Sequence, residues 1–185
     1  MATFQEVKSD VQIPAQEEAI LSFWDEKKIF EKSLTEHQGK TYSFYDGPPF
    51  ATGLPHDGHL LAGTLKDIVP RYWTMNGYRV PRRFGWDCHG VPVEYEINKT
   101  HKIESRKQVL EMGVGKYNAL CRGIVSRYSQ EWKKTVRRTG RWVDMENAYF
   151  TLQPEFMQSV WWVFMLNFFC PIMADFLLVV RKSAD

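Results

Sequence analysis

Phe44-Tyr45-Asp46-Gly47-Pro48-Pro49-Phe50-Ala51-Thr52-Gly53-Leu54-Pro55-His56-Asp57-Gly58-His59 opens the stretch whose reading decides the fold, and Gly85-Trp86-Asp87-Cys88-His89-Gly90-Val91-Pro92-Val93-Glu94 closes it. Between residues 44 and 96 lie seven of the 12 glycines, six of the nine prolines and three of the five histidines. Glycine and proline set special backbone angles, and histidine does chemistry near neutral pH. Such crowding points to a built site rather than a generic core. Residues 41–45 are β-branched and aromatic and predict a strand, ended by Asp46-Gly47-Pro48-Pro49. From Gly58 the pattern turns helical, with Leu60, Leu61, Leu65, Ile68, Val69, Tyr72 and Trp73 as an apolar stripe. Pro70 is expected to kink or shorten this helix, and Gly77 to stop it. Residues 78–84 predict a second strand, despite Pro81. Strand, turn, helix, strand is a βαβ unit with a parallel sheet. Ligands bind beyond the carboxyl ends of such strands. The 46–55 and 85–92 loops both follow predicted strands and are expected to meet at one crevice.

Upstream, Ile13-Pro14 marks a helix entry, and Ala19, Ile20, Phe23, Trp24 and Phe30 carry helical spacing to about Lys32. Downstream, a short helix over 106–111 ends near Gly113, and a longer one runs over 116–138. The longer helix has Tyr117, Leu120, Ile124, Tyr128, Trp132 and Val136 on one face. Between them stand Arg122, Arg127, Lys133, Lys134, Arg137 and Arg138, a solvated surface or a face toward nucleic acid phosphate. Residues 142–149 read as a loop or short strand, and Gln153 begins another helix. The apolar run over 160–180, followed by Arg181 and Lys182, invites a membrane-anchor reading. Asn167, Pro171 and Asp175 argue against it, since an aspartate near a membrane centre costs roughly 2.5–3.5 kcal/mol. The domain expectation is a helical lead-in over 1–40, a nucleotide-binding core over 41–164 and an apolar tail over 165–185.

With 185 residues and 44% hydrophobic composition, the chain is long enough for one globular core. A net charge of +2, from 24 basic and 22 acidic residues, excludes strong general attraction to nucleic acid or membrane. Cys88, Cys121 and Cys170 have no short paired spacing and read as free thiols in a reducing compartment. The first ten residues show no secretory or transit signal. The expected location is cytoplasmic.

The chemistry concentrates at two places. A helix N-terminus carries unpaired N–H groups and partial positive charge, so His56-Asp57-Gly58-His59 suits a triphosphate whose oxygens the imidazoles can meet. No Gly-x-x-x-x-Gly-Lys-Ser/Thr loop is present, so ATP would be held this other way. A zinc set of His56, His59, His89 and Cys88 is the competing reading, weakened by the lack of Cys-x-x-Cys or His-Glu-x-x-His. A purely structural role for the histidines is also open. Asp87, at a strand end between glycines, can present its carboxylate to a ligand ammonium group, or act only as a local cap.

The 47–59 stretch resembles the His-Ile-Gly-His signature of class I aminoacyl-tRNA synthetases. Joined with residues 85–94 and Trp161-Trp162-Val163-Phe164, it is similar to the isoleucyl-tRNA synthetases. The resemblance implies a Rossmann-like α/β catalytic core. It also implies ATP-dependent activation of isoleucine, with Mg2+, and transfer to tRNA(Ile). It places His56, Gly58 and His59 on ATP, Asp87 on the isoleucine ammonium and Pro48 at the side-chain pocket, with no resident metal. Three departures stand beside it: Asp57 replaces an apolar or aromatic residue, Lys-Met-Ser-Lys-Ser is missing, and the match fades from about Met165. The expectation is a fragment with weak ATP or adenylate binding and little or no aminoacylation. The alternatives are a non-catalytic tRNA- or protein-binding module and, behind it, a histidine-based metal hydrolase.

Overall fold

The computed structural model of the chain describes residues 10–36 and 39–169. Pro14 sits in the first turn of α1 (Ile13–Lys27), where its missing N–H leaves no bond unmade. The single helix expected to reach Lys32 is instead broken at Lys28, which takes φ 51 and ψ 47. The Lys28 N–H turns back onto the Asp25 carbonyl at 3.2 Å, and α2 (Ile29–Thr35) restarts from there. A lysine in the left-handed region leaves no trace in composition, so the periodicity ran straight through the break.

Helix α3 (Asp57–Met75) runs past Pro70 and buries a polar side. Pro70 does not shorten it: the helix continues to Met75, with Asn76 as its cap and Gly77 at φ +83 just beyond. The apolar stripe also faces outward. Leu61, Leu65, Ile68, Tyr72 and Met75 are between 55% and 77% exposed, while Asp67, Pro70 and Thr74 are buried. The buried side is a polar network. Asp67 accepts from Arg71 Nε at 2.7 Å and from the Trp142 N–H at 3.0 Å. Arg71 reaches the Gly140 carbonyl and lies over the Trp24 and Trp142 rings at 5.0 and 4.2 Å. Buried Arg82 donates to the Pro70 carbonyl at 2.8 Å and to the Thr74 hydroxyl. Its guanidinium is pushed down to about 10 by burial, with Asp67 opposing the shift and Arg71 adding to it.

Strand β1 (Arg83–Trp86) pairs in parallel with β2 (Asp144–Phe150), matching Gly85 to Tyr149 and Trp86 to Phe150. The register slips between Arg83 and Gly85. Asp144 absorbs the surplus residues of β2 by accepting from the Glu146 and Asn147 N–H groups, and Arg83 Nε bonds the Asn147 carbonyl. The strand expected over 41–45 narrows to one parallel bridge, Thr41 to Arg79, although its burial still alternates residue by residue. A second parallel bridge joins Phe50 to Asp87. The parallel sense of the βαβ reading is therefore present, with its second strand centred later, at 83–86, than the expected 78–84.

Helix α4 (Val91–His101) was not foreseen, although Pro92 lies in its first turn and Val93 and Ile97 are buried four apart. Ile97 and Ile103 pack with Tyr117 of α6 (Val114–Arg138), whose hydroxyl donates to Asn98 Oδ1 at 2.9 Å. Between α4 and α6, α5 (Arg106–Met112) opens on Ser105, which accepts from the Gln108 N–H while Gln108 Oε1 accepts from Ser105 N–H. Helix α7 (Pro154–Phe169) exposes Val160 through Met165. No helix among the described residues is long and apolar enough to cross a membrane. The segment 170–180 of the expected apolar run lies outside the described residues.

The chain divides into two units. One holds residues 1–45, 55–82 and 132–143; the other holds 46–54, 83–131 and 144–185.

Candidate active site

In the first unit, His56 caps α3 in an extended conformation, so the chain enters the helix with its first-turn N–H groups pointing outward. By position, the Asp57 and Gly58 N–H groups have no intrahelical acceptor. His59, at the third helical position, turns back so that its Nδ1 accepts from the His56 backbone N–H at 3.3 Å. An Nδ1 that accepts carries no proton. Neutral His59 therefore holds its proton on Nε2, the other edge of the ring. Burial, the His56 ring and Lys66 all hold the His59 imidazolium below the ordinary 6.5, burial foremost. The His56 and His59 rings stack at 3.7 Å, and Trp132 closes on His59 edge-on at 4.9 Å. The result is a neutral imidazole donor beside a cluster of backbone donors, on a helix end that favours negative charge.

Gly58 is what lets the His56 ring lie there. A Cβ on it would sit 3.0 Å from His56 Cε1 and 3.1 Å from Nδ1. The ring is the movable party. Gly58→Ala is accordingly expected to leave stability within about 1 kcal/mol, yet to separate the two imidazoles. Loss of the mutual ring-current shifts of His56 and His59 in the proton spectrum checks this.

In the second unit, the Asp87 N–H donates to the Pro49 carbonyl at 2.9 Å and brackets Pro48 and Asp87 together. Both residues are half-buried. Ala51, in the same loop, is fully buried. The Cys88 thiol donates to the Trp86 carbonyl at 3.2 Å, and burial pushes it up above its ordinary range, so it packs rather than attacks. His89 Nδ1 meets the Thr151 hydroxyl at 3.4 Å. Tyr149 lays its ring over Gly85 and reaches the Asp46 carbonyl at 3.3 Å.

The structure thus groups His56, Gly58 and His59 in one cluster and Pro48 with Asp87 in another. Sequence reading missed Tyr149 and Thr151, two residues apart at the end of β2; the alternation in Tyr149-Phe150-Thr151 was the available signal. Among the described residues, no group of three or more His, Cys, Asp or Glu could hold a metal ion. The basic face of α6 is partly tied down: Arg127 pairs with Glu131, Arg137 with Asp25, and Arg138 with Glu17.

The isoleucine–tRNA ligase of Bdellovibrio bacteriovorus is 74% identical over 161 residues, covering 87% of this chain and 15% of the relative. The cytoplasmic isoleucine–tRNA ligase of Mus musculus is 57% identical, over 86% of this chain and 13% of its own length. That of Chlamydia pneumoniae is 59% identical, over 80% and 14%. This chain therefore spans only about 15% of the length of the curated relatives it matches. Among solved structures, the LeuRS–tRNA–LeuAMS ternary complex from Agrobacterium radiobacter superimposes with a TM-score of 0.60 at 20% identity, over 82% of this chain and 17% of that one. That likeness shows the fold, the Rossmann-like α/β core. A family model described as tRNA synthetases class I (I, L, M and V) matches residues 19–168, which contain every candidate residue above. The chain belongs to the class I tRNA synthetases, the I, L, M and V family.

Proposed function

We propose that this chain carries the ATP-binding and amino-acid-binding residues of an isoleucine–tRNA ligase. Isoleucine's carboxylate oxygen attacks the α-phosphorus of ATP and pyrophosphate leaves. The 3′-terminal hydroxyl of tRNA(Ile) then attacks the carbonyl carbon of the adenylate and AMP leaves. His56, Gly58 and His59 hold the triphosphate; Asp87 takes the isoleucine ammonium; Pro48 lines the side-chain pocket. The chain alone, short of the family's lysine-rich signature, is expected to bind rather than turn over. The described residues supply no metal cage, so Mg2+ would arrive on the triphosphate. Among the described residues, a histidine-based hydrolase finds no ligand set of three or more.

The observation that carries this reading is His59, with Nδ1 occupied by backbone and Nε2 left to donate. Triphosphate favours the imidazolium, whose second proton sits on Nδ1 in place of the bond from the His56 N–H, so ATP is expected to raise the His59 pKa from its depressed free value. A bound-state pKa above the free one means the protonated form binds more tightly. Affinity for ATP should therefore rise as pH falls through the bound-state value and level off below the free-state one. The test is a histidine-resolved NMR titration with and without ATP. A His59 titration unmoved by saturating ATP contradicts the assignment.

A further inference from the structure

We infer that Thr151 is the positioning residue for the Asp87 turn, holding the carboxylate in place through the backbone of its neighbours. The inference rests on the assignment of Asp87 to the amino-acid ammonium. The geometry is a three-point latch made by one residue. The Thr151 N–H donates to the Trp86 carbonyl at 3.1 Å, on the chain just before Asp87. Its hydroxyl accepts from the Cys88 N–H at 2.9 Å, on the chain just after. The same hydroxyl meets His89 Nδ1 at 3.4 Å. Thr151 is only 7% exposed, so water does not readily replace these bonds.

Asp87 itself is held by its N–H to Pro49. With Trp86 and Cys88 fixed by Thr151, the residue between them has both flanks pinned and only its side chain to present. A carboxylate recognising an ammonium group needs this kind of pre-organisation, since a looser turn would spend binding energy on ordering itself. Tyr149 supports the opposite side, reaching the Asp46 carbonyl at the start of the Pro48 loop. Both tethers come from one place, Tyr149 in the β2 ladder and Thr151 just past its end. The hydroxyl is the specific element. Serine keeps it; valine keeps the shape and removes it.

The test compares Thr151→Val with Thr151→Ser in the 185-residue chain, by amide exchange and by calorimetry with a non-hydrolysable isoleucyl-adenylate analogue. In Thr151→Val the Cys88 amide should exchange about 10-fold faster or more, as expected for one lost hydrogen bond of ordinary strength. The Thr151 amide should keep its protection, and Thr151→Ser should restore that of Cys88. Analogue affinity should fall about 10-fold in the valine variant, with ATP affinity unchanged, and recover in the serine variant. Unchanged Cys88 exchange in a folded Thr151→Val overturns the inference. So does faster exchange with undiminished analogue binding. A wild-type chain that ignores the analogue defeats the functional assignment instead, while the exchange arm still decides the latch. If Thr151→Val fails to fold, Thr151→Ser and Thr151→Ala are compared in the same way, and equal Cys88 exchange in the two overturns the inference.

Discussion

Gly85→Ala is expected to destabilise the chain by about 3 kcal/mol, the upper end of the usual overpacking range. An added Cβ would fall 2.1 Å from Tyr149 Cζ and 2.3 Å from Cε1, far inside contact distance. Neither party can step aside cheaply. Gly85 is paired through its backbone to Tyr149 itself in the β1–β2 ladder. The Tyr149 ring is stacked at 5.8 Å on Phe156, has Arg83 over it at 5.9 Å and reaches Asp46 through its hydroxyl. Urea unfolding gives the measurement, and a double variant gives the mechanism. Tyr149→Ala alone should cost about 3 kcal/mol or more through its cavity. The pair Gly85→Ala/Tyr149→Ala should cost clearly less than the sum, by about 1 kcal/mol or more. Strict additivity would mean that the ring is not what excludes a side chain at residue 85.

Asp87→Asn should weaken binding of an isoleucyl-adenylate analogue by about 100-fold, the equivalent of about 3 kcal/mol for a charge-assisted hydrogen bond and its ion pair. The substitution keeps size and leaves the backbone tether to Pro49 in place, because that bond uses the main-chain N–H. Stability should consequently be little changed. ATP binding through the His56–His59 cluster should also be unaffected. A loss confined to amino-acid-bearing ligands identifies the ammonium contact. Equal weakening for ATP and the analogue would point to a general collapse of the turn.

Much of this arrangement was legible in the residues, and its gaps have physical reasons. In the 85–92 loop Gly90 takes φ +85, an angle that leaves a trace in composition. The histidines declared a helix N-terminus, and α3 starts beside them. Gly113 and Gly77 ended helices as expected, both at positive φ. Lys28 was invisible because its left-handed conformation comes from a turn back onto Asp25, not from its side chain. Helix α4 was missed because Gly90, Pro92 and the preceding motif read as loop, and the Val93–Ile97 spacing was too short to outweigh them. The orientation of α3 followed neither its apolar stripe nor its proline. Arg71, Arg82 and Asp67 form a buried network with Trp142, and that network turns the polar side inward. Pattern reading assumes that the apolar face is buried, which holds only when the polar face has no partners of its own. Thr151 and Tyr149 escaped for another reason: local alternation can mark a strand there, but their roles depend on parallel pairing with a strand some 60 residues away in sequence.

Selective binding of isoleucyl-adenylate, proposed above for this chain, is measured by calorimetry. Non-hydrolysable isoleucyl- and valyl-adenylate analogues would be titrated into the 185-residue chain. The expected result is binding of the isoleucyl analogue, weaker binding of the valyl one by about 10-fold for the missing methylene, and loss of the isoleucyl signal in Asp87→Asn. Folded protein that binds neither analogue, or binds both equally and irrespective of Asp87, contradicts it.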